Sequence, residues 1–191
     1  SKEKKVLVSN DNDFIQLLDP TTIIYNTAKK MFINSADAYK KYNIHPKNFA
    51  LARAITGDKS DNIKGIKGVG MKTLLKMFPE FTAKEKIDTD GFFNLVESRL
   101  ESVAKNSESY RKFLEGKNII LDDLKVMRLD SAIISYASIE KIMQCLESKV
   151  FLNSTSFRVK LVEDGMVNFS DSFFHPFRVL ESKIKVKNNN E

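Results

Sequence analysis

The chain has few of the residues on which several classes of protein depend. Its 191 residues include one cysteine, two histidines and no tryptophan. A single cysteine excludes an intramolecular disulfide framework, and His45 has no second ligand at the spacing of a zinc site. No apolar run approaches the ~18 residues that a membrane-spanning helix needs. These absences exclude a disulfide-stapled domain, a zinc-binding module and a membrane-spanning helix.

The composition favours a folded protein with an anionic partner. The hydrophobic content is 42% with 14 phenylalanines, which is typical of a globular core. The net charge is +6 and the pI about 9.2, which suits a polyanion such as DNA. Cys145 lies in an apolar helical pattern and is predicted to be a core residue. With no signal peptide, the expected location is the reducing cytoplasm.

The most informative stretch is GDKSDNIKGIKGVGMKTLLK, residues 57 to 76. It begins with a carboxylate pair, Asp58 and Asp61, whose spacing predicts that both lie on one face of a helical turn. Carboxylate oxygens are the ligands that hard divalent cations such as Mg²⁺ or Mn²⁺ prefer. The pair is therefore a candidate metal site.

A glycine-rich hairpin follows the carboxylate pair. Gly65, Gly68 and Gly70 lack a Cβ, so each can take a positive φ and let the backbone approach a ligand. Gly70 is predicted to open a helix whose first N–H groups face an anion. The candidate DNA-phosphate contacts also include four nearby lysines: Lys64, Lys67, Lys72 and Lys76. The alternative is an ordinary helical corner with a solvated lysine face.

A second carboxylate pair lies near the start of the chain. Val6 to Val8 is a short apolar run, which predicts a strand buried on both faces in a parallel sheet. Asp11 and Asp13 follow at its carboxyl end, where ligands bind in such sheets. They are candidate metal ligands, although either one could instead cap the helix FIQLL.

Between these motifs the pattern predicts strands over residues 22–25 and 30–33, a helix capped by Ser35 and a helix starting at Pro46. The phenylalanines between residues 78 and 117 form amphipathic stripes, which indicate core packing rather than a cofactor site.

The last forty residues have a different character. Residues 157–162 alternate like an edge strand, and residues 183–191 resemble a frayed tail. The aromatic cluster around Phe173 and Phe177 either folds back on the body or anchors a partner.

The motifs resemble those of the flap endonuclease family, the structure-specific 5′-nucleases of phages, bacterial DNA polymerase I and eukaryotes. GDKSDNIKGIKGVGMKT is similar to the family's G-D-x-x-D-N segment and its helix-hairpin-helix. VLVSNDNDFIQLL is similar to the preceding strand and D-x-D pair, and YRKFLEGKNIILDDL to the closing segment, where Asp122 and Asp123 are expected to pack and cap. The resemblance covers about residues 5 to 145.

This resemblance implies a fold, a chemistry and partners. The fold class is α/β, the C-terminal portion of a PIN-like nuclease. Three parts are expected: a remnant of the metal-binding core over 1–34, a helix-hairpin-helix subdomain over 35–150 and an extension over 151–191. The implied activity is a 5′-3′ exonuclease or flap endonuclease using two Mg²⁺ or Mn²⁺ ions, with K⁺ at the hairpin. The implied substrates are 5′-flap or duplex-end DNA and RNA–DNA hybrids. The implied catalytic and metal ligands are Asp11, Asp13, Asp58 and Asp61.

The chain also departs from the family pattern. Upstream strands that carry a first aspartate, a further acidic cluster and a basic arch do not precede Ser1. The chain is therefore expected to cut poorly alone, either as a fragment or as one half of a split nuclease. The alternative function is a DNA-binding module without chemistry. A metal-dependence test separates the two.

Overall fold

The computed structural model describes residues 3–102, 107–129, 134–148, 152–166 and 168–189. The chain forms two compact units, residues 1–132 and residues 133–191. The three-part division at residues 34 and 150 stays a prediction. The boundary between the two compact units lies in neither of those places.

The first unit begins with a three-stranded sheet of order β1-β2-β3. The strands are β1 (Lys5–Val8), β2 (Thr22–Asn26) and β3 (Met31–Ile33). β1 pairs parallel to β2, with Lys5 opposite Thr22, and β2 pairs antiparallel to β3. The predictions of a parallel first strand and of a following two-stranded return are confirmed.

The burial predicted for β1 is wrong. Val6 is 52% exposed and Val8 68% exposed, although Leu7 packs against the core. Side chains alternate between the two faces of a strand, so Leu7 projects to the core and Val6 and Val8 to the opposite face, which the described part of the chain leaves exposed.

Helices make up the rest of the first unit. They are α1 (Ser35–Tyr42), α2 (Phe49–Thr56), α3 (Met71–Met77), α4 (Thr89–Ser102), α5 (Ser107–Glu115) and α6 (Lys117–Met127), with 3₁₀ turns at Asn12–Leu17, Pro46–Asn48 and Pro79–Thr82. The cap of α1 is Asn34 rather than Ser35, because the Asn34 side chain accepts from two backbone N–H groups of the first turn.

The core of the first unit is aromatic. Phe78 is fully buried and its ring contacts the rings of Phe92 and Phe113 at 5.1 and 5.3 Å. Phe81 and Phe92 are also fully buried. The amphipathic stripes are thus core packing, as predicted, and α2 packs against α6 beside them.

The second unit contains α7 (Tyr136–Glu147), α8 (Ser154–Glu163) and α9 (Asp171–Asn189). The edge strand predicted over 157–162 is wrong: the segment is α8, capped by Asn153, which accepts from the N–H groups of Thr155 and Ser156. Six alternating residues carry too little pattern to outweigh that cap.

Two further predictions for the second unit are wrong. The supposed frayed tail is helical as far as Asn189. Cys145 is exposed rather than in the core, because α7 buries none of its residues. Among the described helices, none combines the length and the apolar composition that crossing a bilayer requires.

Candidate functional site

The D-x-D pair follows β1 directly, at the carboxyl end of the strand. Asp11 Oδ1 accepts a hydrogen bond of 2.9 Å from the Asp13 backbone N–H and so caps the 3₁₀ turn Asn12–Leu17. The capping alternative is therefore confirmed for Asp11. The Asp13 carboxylate does not cap this turn, and it points to α2.

The second pair lies at the end of α2. Gly57 ends that helix with φ 79°, and Asp58 and Ile63 then exchange two backbone hydrogen bonds of 2.8 Å. Asp58 is only 9% exposed, and its Oδ1 accepts from the N–H and the hydroxyl of Ser60. The predicted helical turn is wrong: a tight turn closed by this exchange carries Asp58 and the exposed Asp61.

Arg53 connects the two pairs. Its guanidinium donates to Asp13 Oδ1 at 3.2 Å and forms an ion pair with Asp58 Oδ2. Arg53 is not among the site residues predicted from the sequence. The sequence could have indicated it, because Arg53 is the single charged residue in FALARAIT, the otherwise apolar helix that leads to Asp58.

The carboxylates influence one another electrostatically. Burial raises the pKa of Asp13 above its usual value of 3.8, and the guanidinium of Arg53 opposes that rise. The charges of Asp11 and Asp61 raise the pKa of Asp13 further. Arg53 thus contacts Asp13 and Asp58, and Asp11 and Asp61 lie close enough to Asp13 to raise its pKa.

Their chemistry suits a divalent cation, since every side chain in the group offers carboxylate oxygens. Within the described ranges, however, no three acidic, histidine or cysteine side chains gather closely enough to hold a metal ion. The metal-ligand role of the four aspartates stays a prediction.

The glycine hairpin follows within four residues of Asp61. Gly65 and Gly68 use their conformational freedom, with φ values of 60° and 77°, whereas Gly70 has a φ of −94°. Gly70 is the N-cap residue of α3, so the prediction that it opens a helix is confirmed.

The conformation of the hairpin is fixed by close backbone contacts. A Cβ on Gly65 would lie 2.3 Å from the backbone nitrogen of Gly57, so this glycine permits the hairpin to pack on the end of α2. The Ile66 N–H donates to the Ile55 carbonyl at 2.7 Å. The hairpin and the Asp58 turn are therefore one rigid piece.

α6 anchors the hairpin from the other side. Asp123 Oδ2 accepts from the backbone N–H of Gly65 at 3.2 Å, so the packing role expected for Asp123 is confirmed. The four predicted DNA-contacting lysines are all exposed: Lys64, Lys67, Lys72 and Lys76. The hairpin thus presents positive charge to solvent on a fixed backbone.

Known proteins are similar to this chain in sequence. The chain is 30% identical over 132 residues to a 5′-3′ exonuclease of Buchnera aphidicola, covering 67% of this chain and 44% of that protein. It is 28% identical over 172 residues to a 5′-3′ exonuclease of Halalkalibacterium halodurans, covering 84% of this chain and 54% of that protein. The chain thus spans about half the length of these curated relatives. No family model matches it.

Solved structures agree with the sequence matches. The flap endonuclease of bacteriophage T5, solved as a pseudo-enzyme-product complex with DNA and metal ions, superposes with a TM-score of 0.59 at 17% identity. The match covers 74% of this chain and 51% of that one. It establishes the fold, a PIN-like α/β arrangement of a small mixed sheet and many helices. In sequence this chain is a relative of bacterial 5′-3′ exonucleases, and it shares the fold of the T5 flap endonuclease.

Proposed function

We propose that this chain is the part of a metal-dependent 5′-nuclease that joins DNA binding to one side of the catalytic site. The complete enzyme hydrolyses DNA phosphodiester bonds at 5′ ends or flaps. The observation that carries the proposal is the convergence of Asp13 and Asp58 on Arg53, directly beside a glycine hairpin with exposed lysines. Nucleophile activation and phosphate binding then occur side by side.

Asp11, Asp13, Asp58 and Asp61 would supply carboxylate oxygens to Mg²⁺ or Mn²⁺. Two such ions activate a water molecule and stabilise the charge that develops on the phosphate. The described residues form only a partial ligand set. The remaining ligands belong, in this proposal, to the other half of the enzyme.

Arg53 neutralises the carboxylates in the absence of an ion. Its Nε is buried and makes no hydrogen bond within the described part of the chain, so the guanidinium is held mainly by its carboxylate partners. A divalent cation and Arg53 would therefore compete for Asp13 and Asp58. Binding of the ion is expected to release the guanidinium.

The exposed edge of β1 suggests where the other half binds. Val6 and Val8 present apolar side chains to solvent on a strand with one unpaired edge in the described sheet. Strands of an amino-terminal half would cover this surface and bring further acidic ligands to the carboxyl end of β1. This half can be part of the same polypeptide or a separate subunit.

The hairpin would bind the phosphate backbone of duplex DNA near the 5′ end or flap, and also of an RNA–DNA hybrid. Such contacts carry little sequence information, so the chain is expected to recognise shape. K⁺ at the hairpin carbonyls remains part of this proposal. We place the activity in the bacterial cytoplasm, since the sequence relatives are bacterial exonucleases.

The test is Mg²⁺-dependent cleavage of a labelled 5′-flap duplex by the chain alone and by its mixture with an amino-terminal nuclease half. We expect cleavage in the mixture and its loss in Asp61→Asn, with DNA binding unchanged. Asp61 is exposed, so this substitution should leave the fold intact. The matched control is Asp164→Asn, an exposed aspartate of the second unit, which should cleave normally.

A second candidate function is DNA binding without chemistry. The observation that favours it is Arg53, which already neutralises the two central carboxylates. Under this function the mixture binds the flap duplex and never cleaves it, and Mg²⁺ does not change the stability of the chain. Activity that persists in both Asp58→Asn and Asp61→Asn would contradict the assigned ligands.

A further inference from the structure

Gln16 joins two distant parts of the first unit and has no role in the site described above. It lies on the 3₁₀ turn Asn12–Leu17, three residues after Asp13. Its Nε2 donates to the Asp13 carbonyl and to the Met127 carbonyl, each at 2.9 Å. Its Oε1 accepts from the Leu129 N–H at 2.9 Å. Both protons of Nε2 and the amide oxygen are therefore used, and two of the three bonds reach residues more than a hundred positions away.

The far end of this connection is the carboxyl end of α6. The helix ends at Met127, and the last carbonyls of a helix have no partner within the helix. The Gln16 amide supplies a partner for the Met127 carbonyl and for the Leu129 N–H beyond it. α6 is itself held in the core by three buried side chains: Ile120, Leu124 and Met127. The turn that carries Asp13 is therefore tied to a helix that is fixed by the core.

The same helix also holds the glycine hairpin. Asp123, one turn before Met127, accepts from the Gly65 N–H at 3.2 Å. Four residues of an α-helix rise about 6 Å, so the two anchor points lie about 6 Å apart along the axis of α6. A Cβ on Gly116, directly before α6, would collide with the Ile66 side chain, so the hairpin packs closely on the start of this helix as well. α6 thus sets the position of the Asp13 turn relative to the hairpin.

Gln16 also fixes the backbone from which the Asp13 carboxylate extends. The N–H of Asp13 donates to Asp11 Oδ1, and its carbonyl accepts from Gln16 Nε2. With both backbone groups held, only the side-chain torsions of Asp13 stay adjustable. The carboxylate reaches Arg53 from this fixed position, at 3.2 Å. The Gln16 amide therefore helps to decide where the carboxylate lies.

We propose that Gln16 is a positioning residue of the nuclease. It holds the Asp13 carboxylate at a set distance from the hairpin, so that a DNA strand bound at the hairpin meets a carboxylate already in place. This role rests on the proposed nuclease function. Gln16 acts through Asp13 and touches no reacting group. Such positioning matters because a displacement of about 1 Å can lower a reaction rate about a hundredfold.

The main test variant is Gln16→Met, which keeps a similar length but has no donor and only a weak acceptor. Ile15 and Leu18 are buried on either side of Gln16, so the turn keeps its apolar contacts. Gln144→Met is the matched control, because it makes the same change at an exposed position of α7. Ile120→Val is the control for stability, because it trims a fully buried side chain of α6 and leaves the Gln16 amide in place.

Two measurements on the metal-free chain require no cleavage. The Leu129 N–H should exchange with solvent about fivefold faster in Gln16→Met, because it loses its acceptor. The ¹H–¹⁵N signals of the Arg53 guanidinium report the position of the Asp13 carboxylate, and they should shift in Gln16→Met but in neither control. Thermal unfolding verifies that each variant is folded.

The third measurement is cleavage of the 5′-flap duplex by the assembled enzyme. Gln16→Met should lower kcat about tenfold, with KM and DNA affinity within about twofold of the wild type. Unchanged Arg53 signals in Gln16→Met would overturn the proposal. An equal loss of kcat in Ile120→Val would also overturn it, since Gln16 would then act through stability alone. If the wild-type assembly does not cleave, the nuclease function fails, and the Arg53 and Leu129 signals still decide whether Gln16 positions Asp13.

Discussion

The acidic turn (residues 58–63, with Asp13 joined to it through Arg53) and the glycine hairpin (residues 65–70) are adjacent in the first unit. They differ in how far each is already arranged for its proposed ligand. In the acidic turn, Asp13 and Asp58 are already partnered by Arg53 and partly withdrawn from solvent. In the hairpin, the lysines are exposed and the backbone is fixed by Gly65 and Asp123. The proposed phosphate-binding surface is already in place, whereas the proposed metal ligands are already paired with an internal cation.

Under the proposed function, this difference implies that DNA binding and metal binding can be separated in this chain. A rigid hairpin can bind phosphate without rearrangement, because its conformation is determined by backbone contacts within the unit. The aspartates must exchange an internal cation for an external one and recruit further ligands. We therefore expect DNA affinity from this chain alone, and chemistry only from the assembled enzyme.

The largest expected loss of stability comes from a substitution in the hairpin backbone. Gly65→Ala places a Cβ 2.3 Å from the Gly57 nitrogen and 2.5 Å from the Thr56 carbonyl carbon, at a φ of 60°. Backbone atoms at both contacts cannot move aside, so we expect a loss of about 3–5 kcal/mol in the free energy of unfolding. Urea denaturation measures it.

The other hairpin glycines are matched controls for that substitution. Gly68→Ala meets no atom within 4 Å but keeps a φ of 77°, and should cost about 1–2 kcal/mol. Gly70→Ala has open space and a φ of −94°. Alanine is a poorer N-cap than glycine but restricts the unfolded chain, so the two effects offset and the free energy of unfolding should change by less than about 0.5 kcal/mol. Equal losses at all three positions would show that the hairpin is not fixed as described.

The next effect concerns the internal cation of the acidic turn. Arg53→Ala leaves Asp13 and Asp58 facing each other without a guanidinium, and should lower the free energy of unfolding by about 2–3 kcal/mol. If the carboxylates are metal ligands, Mg²⁺ should stabilise this variant more than the wild type. Thermal unfolding with and without Mg²⁺ measures both effects.

The control for Arg53 is Arg99→Ala, which removes a 2.6 Å ion pair with Glu80 elsewhere in the first unit. It should destabilise the fold without creating a response to Mg²⁺. A variant lacking Arg53 that is as insensitive to Mg²⁺ as the Arg99 variant would favour the binding module without chemistry.

A smaller effect is expected from the hairpin lysines. Lys67→Ala removes one exposed charge, so DNA affinity should fall about fivefold and the slope of log K against log salt should decrease by about 0.9. Fluorescence polarisation over a salt series measures both quantities. Lys141→Ala, in the second unit, is the matched control. An unchanged slope in Lys67→Ala would remove this lysine from the DNA-binding surface.

The smallest expected effect is on the pH dependence of stability, to which two aspartates of the first unit contribute with opposite sign. Burial raises the pKa of Asp13 above 3.8, whereas hydrogen bonds from Thr22 and Thr21 lower that of Asp19 to about 2. As the pH falls from the raised pKa of Asp13 to 3.8, the folded state binds a proton more readily than the unfolded state, so the free energy of unfolding increases. The stability that Asp19 contributes is complete above 3.8 and is lost as the pH falls through about 2.

Carboxyl ¹³C titration without metal, assigned with Asp13→Asn and Asp19→Asn, measures the two pKa values directly. A pKa of Asp13 below 3.8 would mean that Arg53 outweighs burial. The acidic turn would then be more strongly neutralised than the geometry indicates.

Several features could be predicted because they depend on local chemistry. The parallel first strand, the two-stranded return and the phenylalanine core follow from short apolar runs and amphipathic stripes. One error arose because burial depends on distant segments: whether both faces of β1 are covered is decided by what packs on them. The other error was local, because the Asn153 cap that makes 157–162 helical lies outside the six alternating residues.

The sequence by itself determined which chemistry is present: two carboxylate pairs, a glycine hairpin and lysines, in an order similar to that of 5′-nucleases. Only the tertiary structure decided how these parts meet. Asp13 and Asp58 converged on Arg53, and Asp123 reached the Gly65 amide across 58 positions of sequence. The physical reason is that residue types and local turns are encoded at short range. Ion pairs and backbone anchors between distant segments exist only after the core has packed.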